Sequence, residues 1–179
     1  MTAPVLEHDW YPAPVPANVE VGPGSWLYSA FAFLHYRSQR PVGLRVGRNT
    51  GIYIDTLFDL GPHGEVDIGD HCTLAGPIFC TRGRVAIGNR VLISSRVLVA
   101  DDPFSCPPGN HVPDLGAGHS PPAVVEIGDD AWIGTGATLL AGARIGAGGI
   151  VGAATVVDFE VPEMTIVGGD PARIIGRSD

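Results

Sequence analysis

Large aliphatic residues recur at every sixth position through the C-terminal half of the chain. From Ile127 the series runs through Ile133, Leu139, Ile145, Val151 and Val157. Four places after each of the first five stands a small residue, at Ala131, Ala137, Ala143, Gly149 and Thr155, and Gly directly follows the aliphatic residue at Gly128, Gly134, Gly146 and Gly152. An amphipathic helix repeats its apolar positions every 3.6 residues and a half-buried strand every two, so neither produces a period of six. Short strands joined by tight turns do, when large aliphatics point inward and stack while small residues fill the tight inner positions.

The same register runs backwards when the series is read in threes. The triplets Val21, Leu27, Phe33; Val46, Ile52, Phe58; Ile68, Leu74, Cys80; and Ile87, Ile93, Val99 precede the two unbroken ones. Six triplets predict six triangular coils of an all-β parallel β-helix. Between the last member of one triplet and the first of the next, the gaps are 13, 10, 7 and 28 before the final 6. Every insertion therefore falls at one corner of the triangle, which a wrong phase would not produce. The longest insertion, 100–123, is one long loop carrying Pro103, Pro107, Pro108, Pro113, Pro121 and Pro122; loops of this length in compact domains are functional or disordered. The segment from Trp26 to Tyr36 also fits an amphipathic helix, but the phase of six continues through it and favours coil. Residues 1–18, with Pro4, Pro12, Pro14 and Pro16, read as an extended N-terminal arm. The β-helix spans 19–160, and 161–179 forms a C-terminal cap, since a solenoid needs covered ends.

Composition narrows the function. The 179 residues include 25 Gly and 16 Pro and no Lys, a mixture suited to turns and strands. A formal charge of −8 leaves no basic stripe for nucleic acid or an anionic membrane. The N-terminus has no basic region followed by an apolar one, and no apolar run reaches the ~20 residues of a membrane span, so a cytoplasmic protein is expected. Cys72, Cys80 and Cys106 fit neither a zinc site nor a disulfide framework, and no metal is expected.

At Ile127-Gly-Asp-Asp-Ala-Trp-Ile-Gly134, at Val151-Gly-Ala-Ala-Thr155 and at Gly169-Asp-Pro-Ala-Arg173 the sequence resembles the hexapeptide-repeat acyltransferases that include maltose, galactoside and xenobiotic acetyltransferases. The likeness is closest over residues 87–176. It implies a left-handed parallel β-helix, a homotrimer with active sites in the clefts between subunits, and acetyl-CoA or another acyl-CoA as co-substrate. Carried over position by position, it places Gly134, Thr135, Ala153 and Arg173 along the coenzyme. Small residues suit a thin pantetheine chain lying against the coil, and Arg173 offers a charged fork to phosphate. Equally, Thr135 and Ala153 satisfy turn geometry, and Trp132 reads as outward packing between subunits.

Direct acyl transfer needs a general base beside the acceptor hydroxyl or amine. In the family a histidine at the start of the long loop does this. A gapless match here delivers Asp101-Asp102-Pro103 instead. Gly109-Asn110-His111 resembles a Gly-Ala-Asn-His stretch of the xenobiotic enzymes, displaced by an insertion, which makes His111 the leading base and His119 the second, with Asp102 as an orienting partner. The alternative for Asp101 and Asp102 is a turn before Pro103. A second departure is Val157-Asp158-Phe159-Glu160, where many relatives carry a lysine near the coenzyme phosphates; two acids there repel phosphate. The leading function is acyl transfer, chiefly acetyl, from acyl-CoA to a hydroxyl or amine of a sugar or small natural product. The alternative is a divergent trimer that binds a small molecule or acts by other chemistry without coenzyme A. A γ-type carbonic anhydrase needs three converging histidines, and no such pattern appears at the coil positions.

Overall fold

The computed structural model describes residues 6–101 and 124–178. Its coils follow one another up a single axis. The first holds β1 (Val19–Val21), β2 (Trp26–Leu27) and a 3-10 turn, Ala30–Phe33. The second holds β3 (Leu44–Val46), β4 (Gly51–Ile52) and β5 (Leu57–Leu60), and the third β6 (Glu65–Ile68), β7 (Thr73–Leu74) and β8 (Ile78–Thr81). The fourth has β9 (Arg84–Ile87), β10 (Leu92–Ile93) and β11 (Leu98–Ala100); the fifth has β12 (Val124–Ile127), β13 (Trp132–Ile133) and β14 (Thr138–Leu140). The sixth has β15 (Arg144–Ile145), β16 (Ile150–Val151) and β17 (Val156–Val157). β18 (Glu160–Val161) and β19 (Thr165–Gly168) add another layer, and β20 (Arg173–Arg177) folds back antiparallel on β19.

Equivalent strands pair in parallel and build three sheets. The first is β1-β3-β6-β9-β12-β15-β18, the second β2-β4-β7-β10-β13-β16-β19-β20, and the third β17-β14-β11-β8-β5. The third sheet begins one coil late because the third side of the first coil is the 3-10 turn. The six-residue phase survives there nonetheless: Phe33 is buried and stacks on Phe58 at 5.7 Å between ring centroids.

Two members of the predicted triplets do not point inward. Val21 is 44% exposed because β1 lies at the edge of the first sheet, with no coil beyond it. In the third coil the inward residue is Phe79, fully buried, whereas Cys80 is half-buried on the outer face. The turn between Leu74 and Phe79 is one residue shorter than its neighbours, with Gly76 at φ +92° and Pro77 behind it. Only glycine adopts that backbone without strain. The buried column therefore reads Phe58, Phe79, Val99, Leu139, Val157 through the pairing of β5, β8, β11, β14 and β17.

All the insertions leave the coil at the corner joining the third sheet to the first, as the gaps predict. The two near the N-terminal end lie on one another: Arg37 N donates to Leu60 O and Gln39 N to Pro62 O, each at 2.9 Å. The corner joining the first sheet to the second is closed by side chains that cap amides of the coil before. Arg48 N donates to Asp70 Oδ1, Asp70 N to Asn89 Oδ1 and Asn89 N to Asp129 Oδ1, at 2.8–2.9 Å. Among the described residues, no helix is long and apolar enough to cross a membrane.

Candidate functional site

The corner joining the second sheet to the third carries the residues matched to coenzyme contact. After β10, β13 and β16 the chain turns through Ser94-Ser95-Arg96, Gly134-Thr135-Gly136 and Gly152-Ala153-Ala154, with Arg96, Gly136 and Ala154 all at φ between +54° and +70°. These turns stack in register. Gly136 N donates to Ser95 O at 3.0 Å and Ala154 N donates to Thr135 O at 2.9 Å. A Cβ at position 134 would lie 2.7 Å from Ala153 N and 2.8 Å from Val151 O, so glycine is required there for the coils to close on one another. Thr135 and Ala153 face solvent. Gly168 lies over Gly152, and Arg173 pairs with Gly168, which puts an exposed guanidinium at the end of the same edge. Thr135, Ala153 and Arg173 thus lie along one line parallel to the axis. The line is bare of bulky side chains in its middle and cationic at its end. Such an edge can take a narrow flexible chain by backbone contact, with an anionic group at Arg173.

The acidic pair of the second departure is not on this edge. Asp158 directly follows β17 and so sits at the third-to-first corner, and Glu160 pairs across from Arg144 on the first sheet. The outer face of the first sheet holds a shallow hollow of about 610 Å³ lined by Asp67, Arg84, Glu126, Arg144 and Glu160. Its arginines are engaged: Arg84 meets Asp67 at 2.9 Å and Glu65 at 3.2 Å, and Arg144 meets Glu126 at 3.6 Å. Trp132 projects from the second sheet, 48% exposed, and its Nε1 donates to Ser94 Oγ at 3.2 Å.

His111, His119 and Asp102 lie outside the described residues. Their neighbour Asp101 is described, at the root of the loop, and it is buried. Its carboxylate accepts from Thr81 Oγ1, from Arg82 N at 3.0 Å and from Gly83 N at 2.7 Å. Asp101, the first residue of the Asp101-Asp102-Pro103 stretch, is therefore a structural cap that ties the turn after β8 to the end of β11. Asp101→Ala strands those donors in a buried position and costs about 2–4 kcal/mol of stability, measurable by chemical denaturation. Asp101→Asn, which keeps an acceptor, loses less.

Cys80 faces outward beside Asp101 and Asp59. Burial, and then the two carboxylates, push its thiol up to about 11 from the usual 9. The thiolate is the reacting species, so at pH 8 Cys80 reacts with a maleimide or disulfide reagent about 100-fold more slowly than an unfolded cysteine does; mass spectrometry of a timed labelling course reads this. Among the described residues, no group of three or more His, Cys, Asp or Glu is placed to hold a metal ion.

No family model matches the chain. A lipopolysaccharide biosynthesis O-acetyl transferase from Escherichia coli, WbbJ, is 40% identical over 102 residues, which is 52% of this chain and 50% of that protein; the chain spans about half the length of this curated relative. Among solved structures, AntD, an N-acyltransferase from Bacillus cereus in complex with dTDP and 3-hydroxybutyryl-CoA, superposes with a TM-score of 0.69 at 22% identity, over 89% of this chain and 83% of that one. A hexapeptide-repeat containing acetyltransferase from Vibrio cholerae superposes with a TM-score of 0.59 at 24% identity, over 84% and 78%. The fold is the left-handed parallel β-helix of these proteins.

Proposed function

We propose, from a chain that belongs by repeat and fold to the hexapeptide-repeat acyltransferases, that it transfers an acyl group, chiefly acetyl, from acyl-CoA to a hydroxyl or amine of a sugar. The observation that carries this reading is the stacked edge at Gly134, Thr135 and Ala153 with Arg173 at its end. Pantetheine lies along the small residues in this reading, and Arg173 meets a phosphate. The acceptor oxygen or nitrogen attacks the thioester carbonyl while its proton passes to His111, with His119 the second candidate and Asp102 orienting the ring. The C–S bond breaks and the departing thiolate takes up a proton. The loop of residues 100–123 selects the acceptor. A homotrimer belongs to the same proposal. The outward row of Leu92, Trp132, Ile150 and Ile166 on the second sheet, the first two exposed and the other two half-buried, supports it, since apolar surface gathered in one row marks an interface.

Ala153→Trp tests the coenzyme edge. An indole in place of a methyl group closes the line between Thr135 and Arg173, so the KM for acetyl-CoA rises at least about tenfold, while the exposed site leaves the unfolding midpoint nearly unchanged. The assay follows free thiol released from acetyl-CoA in the presence of a sugar acceptor. An unchanged KM removes the coenzyme from this edge.

A further inference from the structure

We propose that His8, Trp26, Tyr28, Tyr53 and Thr73 form a sugar-binding platform which, resting on the acyltransferase reading for its role, holds a distal residue of an oligosaccharide acceptor. Trp26 is 46% exposed, Tyr53 45% and Tyr28 37%. Single exposed aromatics are ordinary, but several within two adjoining coils form a patch that needs an explanation. The His8, Trp26 and Tyr53 rings are held by their neighbours. His8 stacks on Trp26 at 4.3 Å between centroids and 20° between planes, and its Nε2 lies 3.1 Å from Leu27 O and 3.0 Å from Tyr28 O. The next residue, Asp9, anchors this part of the arm by accepting from Tyr11 N at 2.9 Å, Ser29 Oγ at 2.7 Å and Ala30 N. Position 51, between Trp26 and Thr73 on the outer face of the second sheet, is glycine, and the Tyr53 ring fills the vacant space: a Cβ on Gly51 would lie 2.5 Å from it.

The chemistry of this patch fits a pyranose ring. Flat aromatic faces take its apolar C–H face, and polar tips at the margin take its hydroxyls. The hydroxyls of Tyr28 and Tyr53 bond to no described residue, and Thr73 adds a solvent-facing side chain beside them. No acid and no guanidinium belongs to the set, so ions gain little there.

Tyr28 and Tyr53 stand in the same edge column as Ser94, Gly134 and Gly152. Tyr28 N donates to Ile52 O, Tyr53 N to Leu74 O, Ala75 N to Ile93 O and Ser94 N to Ile133 O, each at 2.9 Å. Tyr53 is three coils from Gly134, about 14 Å at the usual strand spacing. A ligand that touches both ends is a chain of sugars, and the polysaccharide-linked name of the Escherichia coli relative is in keeping with that.

The test titrates the full chain with maltohexaose and with N-acetylchitotetraose up to about 10 mM, reading the heat of binding by calorimetry, in the wild type and in Trp26→Ala and Tyr53→Phe. Acetyl-CoA is titrated in parallel, and oligomeric state is measured by light scattering. Saturable binding of an oligosaccharide, weakened at least about tenfold in Trp26→Ala and measurably in Tyr53→Phe, is the expected result. Absence of binding by either probe, or equal binding by the variants, overturns the platform even where acetyl-CoA still binds and the transferase reading stands. Oligosaccharide binding without acetyl-CoA binding keeps the platform and removes the transferase. Altered oligomeric state in Trp26→Ala makes the patch a contact between copies and also overturns the proposal.

Discussion

Phe79→Ala lowers the free energy of unfolding by about 4 kcal/mol. Phe79 is fully buried, and its ring stacks on Phe58 at 5.2 Å with planes only 4° apart; Phe58 in turn stacks on Phe33. Truncation removes a ring from the middle of a column whose strands are fixed by hydrogen bonds on both sides, so the coil cannot collapse to refill it. The loss is therefore the transfer energy of the ring and also the cavity left behind. Urea denaturation reads it as a lower midpoint at constant slope. Cys80→Ala is the matched control: this neighbour is half-buried on the outer face, and its loss costs about 1 kcal/mol or less. The reverse order would mean that the third coil is in the six-residue register of the sequence, with Cys80 inward.

His111→Ala lowers kcat by about 10²–10⁴-fold while leaving the KM for acetyl-CoA close to its wild-type value. A base acts when the acceptor gains charge during attack, so its loss falls on the chemical step and not on donor binding. His119→Ala is the comparison. Full turnover in His111→Ala together with its collapse in His119→Ala would transfer the role to His119.

Much of the fold is legible in the chain because a β-helix writes its geometry into the sequence at every turn. The inward aliphatics from Ile127 through Ile133, Leu139, Ile145 and Val151 to Val157 are all buried, and so are the small residues Ala131, Ala137, Ala143 and Thr155. The shared corner of the insertions follows from the same rule, since extra residues placed between triplets leave the six-residue spacing within each coil intact. The register fails where the period itself changes: Gly76 and Pro77 build a turn one residue shorter, and six-step counting passes over Phe79 to Cys80. The 3-10 turn at Ala30–Phe33 escapes for a different reason. The Asp9 carboxylate holds Ser29 Oγ and Ala30 N from 20 and 21 residues away, a tertiary contact that local periodicity does not record. Asp101 escapes similarly, because its partners Thr81, Arg82 and Gly83 belong to the coil before. The platform around Trp26 is scattered over His8, Trp26, Tyr28, Tyr53 and Thr73, with no spacing to join them until the coils stack. The candidate base lies in the long loop, where the period of six gives no guidance, and its placement rests on the Gly109-Asn110-His111 likeness.

Calorimetric titration of the purified protein with acetyl-CoA, alongside coenzyme A, decides whether the chain binds an acyl donor. The acyltransferase account predicts saturable heat at micromolar concentrations with about one site per chain, and its weakening in Ala153→Trp. No heat with either ligand at about millimolar concentration would contradict it, and would leave a β-helix whose stacked edge serves another purpose.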